Sequence, residues 1–375
     1  MARVFDRRQI LSACASLAMS SPCMASPTRA DCLARGFNLP DLAPMRAKRY
    51  PDSSVLRELH RRGMSHVRLP CFAERFLPYF SDGPSISRAL DDLDRALDML
   101  LEHRFAVSID MHPGDELTKL YRRDPQGAFA ALLGGWLSTA QRVRGRPSQR
   151  VFIELLNEPP TTDTIWRAQA QALIHRLRQV LPDSTMIVGA APFERVDALE
   201  NWPVLHDPNT VYAAHYYDPM AFTHQGETWD SASPYAKMSG VPFPISPSDP
   251  GVAELRRTLG PQLGQAGRKE LDWTLSKPWN ERTIGRAFAP LGAWSRKHSV
   301  SVVINEFGVL RFKASPHDRA TWIAAVRRQA EHQGFGWAHW EYSNGFGLIR
   351  DDGSLDPSIV EALLPGRTRD PVGAH

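Results

Sequence analysis

Only four cysteines occur in 375 residues, and two of them, Cys14 and Cys23, stand within the first thirty. A disulfide framework is therefore excluded as the device that organises this chain. Net charge is also scarce: 45 Lys and Arg against 41 Asp and Glu leave +4 with histidine neutral. So small an excess, scattered along the chain, does not make a nucleic-acid surface. There is no Gly-x-Ser-x-Gly elbow, no phosphate loop and no His-Glu-x-x-His metal helix. A composition of 42% hydrophobic and 23% charged residues excludes a disordered or fibrous protein. What the chain does have is proline, 30 residues, and tryptophan, 10. Stiff loops and flat aromatic faces suit a cleft for a ligand with an apolar surface, such as a sugar ring.

The first thirty residues read as an address. Arg7-Arg8 runs into an apolar stretch, residues 10–19, that is too short to span a bilayer. Small residues follow, with cleavage candidates at Cys23-Met24-Ala25 and Thr28-Arg29-Ala30. The expectation is a twin-arginine-type signal over residues 1–30 and a catalytic domain over 31–375. The mature protein is then periplasmic or secreted, off the membrane once cleaved, and a monomer. Cys14 and Cys23 leave with the signal. Cys32 precedes the first expected strand and Cys71 follows the second, at opposite ends of parallel neighbours, beyond the ~7 Å Cα separation a disulfide allows. Two free thiols are expected, or loss of Cys32 with the mature terminus.

Beyond the signal, apolar runs bounded by Pro, Gly or Asn alternate with helical spacing. Strands are expected at residues 35–39, 66–70, 106–111, 151–156, 185–189, 211–216, 300–305 and 336–340. Leu90, Leu93, Leu97 and Leu100 form one helical stripe between them. Eight strands with helical crossovers are the count of a single-domain (β/α)₈ TIM barrel. One connection is long: residues 217–279 carry Pro219, Pro234, Pro242, Pro244, Pro247 and Pro250 among their prolines, and little sustained helical periodicity. Leaving the sixth strand at the active-site face, this loop is expected to wall a substrate cleft, a disordered insertion being the alternative. Trp229, Trp273 and Trp279 within it are candidate sugar platforms.

Two expected strands end in a carboxylate, Glu158 after Leu156-Asn157 and Glu306 after Ile304-Asn305. Two acids flanking one cleft are what glycoside hydrolysis needs, one as proton donor and the other as nucleophile or base. With Asn157-Glu158-Pro159 and Glu306 in that order, the chain resembles glycoside hydrolase family 5, the cellulase family. Arg35-Gly36-Phe37-Asn38, Val67-Arg68-Leu69-Pro70, Ile109-Asp110-Met111-His112, His215-Tyr216-Tyr217 and Trp337-Ala338-His339-Trp340 match the remaining elements in sequence. The resemblance implies Glu158 as acid/base and Glu306 as nucleophile in a retaining double displacement on a β-glucan. An endo-β-1,4-glucanase is the expected activity, with β-mannanase or β-1,3/1,6-glucanase as alternatives within the family. A non-peptide cofactor and a metal are not called for.

Supporting roles follow from side-chain chemistry. Arg68 either holds Glu306 ionised and aimed, or neutralises a buried acid such as Glu154. Asn157 suits a sugar 2-hydroxyl, and His112 and His215 offer donors to hydroxyls and carboxylates. Tyr217 can donate to the nucleophile, and Trp340 can lie beneath a sugar, with a cis peptide expected after it from the resemblance. Glu154, Glu341 and Asp110 are assigned to structure, Asp110 by holding His112 or a nearby loop. From other classes, a non-catalytic glycan-binding barrel and a barrel metallohydrolase built on Asp110, His112 and His215 are kept; the first-strand His-x-His of amidohydrolases has no counterpart in Arg35-Gly36-Phe37-Asn38.

Overall fold

A computed structural model describes residues 28–40 and 51–366. Each expected apolar run contains a strand: β1 Arg35–Asn38, β2 His66–Phe72, β3 Ala106–His112, β4 Val151–Glu154, β5 Met186–Gly189, β6 Thr210–His215, β7 Ser301–Glu306 and β8 Gly336–His339. All neighbours pair in parallel, and β8 returns to β1 to close an eight-stranded barrel. Every residue of β4, β5 and β6 is buried. Strands covered on both faces read as continuous apolar runs, which is why they were legible without alternation.

The barrel is filled from its base. Cys32 and Leu33, from the short helix Arg29–Leu33, pack with Ala106, Phe152, Ile187, Val211, Ala213 and Val303. Thr28 and Asp31 form a reciprocal capping box that starts this helix. Cys32 and Cys71 are both buried and free. Ala30 lies inside the same helix, whereas the twin-arginine pair and Ala25 fall outside the described residues. Among the described residues no helix is long and apolar enough to cross a membrane.

Tryptophan is used differently from the expectation. Seven of the ten, Trp136, Trp166, Trp202, Trp279, Trp294, Trp322 and Trp337, are buried in packing. Three of these sit on outer helices and donate their indole N–H to carbonyls at strand exits. Trp136 reaches Leu155 O at 2.7 Å, Trp166 reaches Gly189 O at 2.8 Å and Trp322 reaches Asp218 O at 3.1 Å. Where a strand leaves the ladder its carbonyls lose their partners, and a buried indole supplies one.

The connection after β6 is ordered and partly helical, contrary to the reading of its prolines. It contains the helices Met220–Thr223, Pro250–Leu259 and Gln265–Leu275. Pro250 occupies a first turn, where no N–H is required, and Asp249 caps it by accepting from Gly251 N at 2.8 Å. Proline there starts a helix instead of breaking one. The segment is tied down by Gln225, bonded to Phe222 O and to both backbone groups of Val241, and by the paired backbones of Ile245 and Trp279.

Phe152 fills the base of the barrel, at the end remote from the acidic residues. Phe152→Ala should therefore cost about 3–5 kcal/mol of stability through the cavity it leaves. Urea denaturation is expected to show a lower midpoint.

Candidate active site

The geometry of the C-terminal face begins with Arg68 in β2, which is wholly buried. Its Nε and Nη2 grip both oxygens of Glu154 at 2.9 and 2.6 Å. Nη1 donates to Asn38 Oδ1 at 3.0 Å and to Glu306 Oε1 at 2.5 Å, and Nη2 to Asn157 Oδ1 at 2.8 Å. Asp110 Oδ2 lies 3.0 Å from Nη2. The alternatives left open for Arg68 are thus both realised: it neutralises Glu154 and it holds Glu306. Glu154 is pushed up to about 7 by burial and by Asp110, against the pull of Arg68. Asn305 also donates to it at 2.9 Å, consistent with a structural place for Glu154.

Glu306, the last residue of β7, is buried apart from a narrow opening. Its second oxygen accepts from the Tyr217 hydroxyl at 3.0 Å. Burial and the nearby Glu306 and Glu158 carboxylates keep that phenol protonated by raising its pKa well above the ordinary value. Glu158 arrives differently. β4 ends at Glu154, so Glu158 is carried by the turn beyond it, in a left-handed conformation with φ 39°. Its Oε1 lies 2.9 Å from His215 Nδ1. Burial opposes the ionised form of Glu158, but the His215 bond together with the charges of His215, His112 and Arg68 outweighs it and lowers its pKa. One oxygen each of Glu158 and Glu306 and a ring nitrogen of His215 lie within 4.8 Å of one another.

Around this pair, His112 Nδ1 lies 2.9 Å from Asp110 Oδ2, as the structural reading of Asp110 expected. Burial works against charge on His112, but the Asp110 contact raises its pKa above the ordinary histidine value. The His112 ring stacks on Trp340 with centroids 5.8 Å apart and planes 22° apart. Because Arg68 takes Asn157 Oδ1, the amide nitrogen of Asn157 is turned outward as a donor, 3.4 Å from His112 Nε2. The peptide between Trp340 and Glu341 is cis. Gly308 lets the two loops meet there: a Cβ on it would come 2.2 Å from Trp340 O.

Three hollows share Glu158. One of about 640 Å³ holds His112, Tyr217, Glu306 and Trp340 and continues past Trp229, Phe312 and Phe346. A second, about 500 Å³, runs by His215, Phe193 and Met220 to Arg195 and Arg286. A third, about 600 Å³, passes Asn157, Tyr121 and Phe193. Of the loop tryptophans, Trp229 is 60% exposed and lines the first hollow. Trp279 is buried, and Trp273 packs on it beneath Lys277 Nζ, 3.6 Å from the Trp273 ring centroid; neither borders these hollows. The platform expectation is therefore corrected for both: Trp279 is buried, and Trp273, although 42% exposed, stands away from the hollows that share Glu158.

Sequence reasoning missed Phe193 and Glu194, which follow β5 after a cis Ala191–Pro192 bond and both have positive φ, 64° and 48°. Phe193 is 58% exposed in two hollows. Glu194 is fully buried, and its Oε2 lies 2.9 Å from His215 Nε2, off the axis of the ring N–H. The one available signal was an acid a few residues past a strand end, the same placement that made Glu158 conspicuous. Among the described residues, Glu158, His215 and Glu306 are also the one group close enough to hold a metal ion. A divalent ion there would face the Arg68 guanidinium across Glu306 and displace the Tyr217 and His215 contacts, so this donor set fits a metal poorly.

Two glutamates thus face one cleft, Glu306 at the end of β7 in the grip of Arg68 and Glu158 on the turn beyond β4. A family model described as Cellulase (glycosyl hydrolase family 5) matches residues 32–345, and the chain belongs to that family. It is 25% identical over 327 residues to Endoglucanase 3 of Fibrobacter succinogenes, covering 84% of this chain and 49% of that protein. With Endoglucanase C of Acetivibrio thermocellus it shares 26% over 324 residues, covering 82% and 88%. The chain spans about half the length of Endoglucanase 3 and 29% of Endoglucanase H of Acetivibrio thermocellus. Among solved structures, a mutant form of Thermotoga maritima Cel5A in complex with cellobiose superposes with TM-score 0.72 at 25% identity, covering 90% and 98%. The cellulose synthase subunit Z of Clostridioides difficile does so with TM-score 0.70 at 23%, covering 88% and 99%, a likeness of fold.

Arg68→Met would strand three buried or nearly buried carboxylates, so a loss of about 3–5 kcal/mol is expected at neutral pH. Thermal unfolding should register it as a midpoint below that of the wild type.

Proposed function

We propose that this protein is a retaining endo-β-1,4-glucanase in which Glu306 is the nucleophile and Glu158 the acid/base. The reading rests on one observation above the others: the two carboxylates share a cleft with an oxygen of each within 4.8 Å. Retaining enzymes hold their carboxyl groups ~5–5.5 Å apart, whereas inverting ones leave room for a water at ~6.5–9.5 Å. Glu306 attacks the anomeric carbon as the bond to the leaving oxygen breaks, and Glu158 gives that oxygen a proton. Glu158 then takes a proton from the water that displaces Glu306, restoring the original anomeric configuration.

The neighbours act on charge and position. Arg68 and Tyr217 place fixed donors on the two oxygens of the nucleophile, which keeps it directed. Asn157, its oxygen already engaged by Arg68, offers its N–H to the sugar 2-hydroxyl. His112 and Trp340 form a stacked floor suited to the apolar face of a sugar. Hollows on either side of Glu158, with Trp229 and Phe312 on one side and Phe193 on the other, favour binding within a chain and so internal cleavage.

Residues 1–30 are proposed to serve export by the twin-arginine route, with residues 31–375 holding the catalytic domain. Cleavage near Ala25 is favoured over Ala30, because a cut at Ala30 would remove Thr28 and open the helix that carries Cys32 and Leu33.

A reducing-sugar screen on cellulose, β-mannan and β-1,3/1,6-glucans should give release of short oligosaccharides from β-1,4-glucan. Product anomers followed by NMR should appear first as β; α product at the outset would exclude retention. Glu306→Gln should lower turnover by several orders of magnitude with oligosaccharide binding retained. Chelator should leave the rate unchanged, and a loss restored by zinc would favour a metallohydrolase instead.

A further inference from the structure

Glu194 is unusual for a carboxylate. It is fully buried, no hydrogen-bond donor is aligned on either oxygen, and its backbone has φ 48°. Burying such a group is costly unless a charge faces it. What faces it is His215 Nε2, at 2.9 Å. The contact is built from both main chain and side chain. His215 N donates to Glu194 O at 2.7 Å, and Gly189 at the end of β5 leaves the room the carboxylate occupies, where a Cβ would come 2.2 Å from Glu194 Oε1. On its other side, His215 presents Nδ1 to Glu158 Oε1 at 2.9 Å. The imidazole thus bridges two acids delivered by separate strand exits.

We propose that Glu194 is a positioning residue that anchors His215 through Nε2, so that His215 Nδ1 holds the proton Glu158 passes to the leaving oxygen. This rests on the acid/base role proposed for Glu158. In the resting enzyme His215 is an imidazolium and Glu158 a carboxylate. The proton on Nδ1 moves to Glu158 Oε1, leaving a neutral His215 that keeps its Nε2 hydrogen towards Glu194. Glu158 donates that proton as the C–O bond breaks. In the second half it takes a proton from water and returns it to Nδ1, so no proton is gained or lost over the cycle.

The charges around His215 agree with this account. Glu158 faces it from the turn after β4, Glu194 from the loop after β5 and Glu306 from β7, with His215 Nδ1 3.6 Å from Glu306 Oε2. Arg68, Asp110, Glu154 and His112 act on these acids from β2, β3 and β4, and Tyr217 meets Glu306 from beyond β6. Burial disfavours charge on His215, but Glu306 and Glu194 outweigh it and hold the imidazolium well above the ordinary histidine range.

The test is Glu194→Gln, which keeps the shape and removes the charge. Turnover on cello-oligosaccharides should fall about 100-fold with KM little changed, while 2,4-dinitrophenyl β-cellobioside, whose leaving group needs no proton, should lose less than about threefold in its glycosylation step. Losing a neighbouring negative charge makes His215 release its proton more readily, so the basic limb of the pH profile should move to lower pH. A merely structural Glu194 would depress both substrates alike and leave that limb in place, which overturns the proposal. Glu306→Gln separates the two readings: if it is inactive and Glu194→Gln behaves as wild type, the positioning role falls and the hydrolase reading stands. If Glu306→Gln is active, the hydrolase reading itself falls. Should Glu194→Gln not fold, nitrogen-15 NMR of the wild-type protein decides: both ring nitrogens of His215 should carry protons at neutral pH, and a singly protonated ring would overturn the proposal.

Discussion

One guanidinium holds the face of this barrel together. Arg68 has five N–H groups, and five hydrogen bonds leave it: two to Glu154 and one each to Asn38, Asn157 and Glu306. Its partners belong to β1, β4, the turn after β4, and β7, so a single side chain sets the spacing of elements far apart in sequence. A lysine, with three donors on a point charge, could not make the same set of contacts. The cost is that a cation and its acids must be kept out of water, which gains little stability by itself. What the arrangement secures is orientation. Glu306 is aimed by Arg68 and Tyr217, and Asn157 has its amide turned by the bond its oxygen makes.

Positive charge from Arg68 is shared unequally among its acids. Glu154 takes two of the guanidinium bonds, yet burial and Asp110 push it up to about 7. Glu306 receives the shortest of the guanidinium bonds, at 2.5 Å. Across the gap Glu158 meets an imidazole, and its immediate partner is therefore a group that can itself give up a proton. Two residues of one type thus face different partners, one a permanent charge and the other a removable one, which is how a pair of glutamates comes to differ in chemistry.

The strands were legible because both of their faces are covered, so their apolar runs are uninterrupted and their ends are marked by Pro, Gly or Asn. Glu158 and Glu306 were legible because their flanking residues carry a pattern, though Glu158 proved to sit on a strained turn and not at the end of its strand. Glu194 was hidden because its significance depends on His215, twenty-one positions away, and on the space left by Gly189. The helices after β6 were hidden by proline itself: Pro250 looks like a breaker unless its place in a first turn is known. Tryptophan misled for a further reason. An indole serves a core as well as a cleft, and only position distinguishes Trp166, bonded to the end of β5, from Trp229, open beside the acids.

The helix Arg29–Leu33 plugs the barrel at the end away from the acids. Cys32 Sγ meets Gln149 O just before β4, Arg29 meets Asn209 just before β6, and Gly336 at the start of β8 packs on Leu33 O. Thr28, which caps this helix, therefore lies at the end of the barrel opposite Glu158 and Glu306. A fusion partner, purification handle or surface tether joined directly to Thr28 would sit at the far end of the barrel from the paired glutamates, leaving the cleft they share unobstructed.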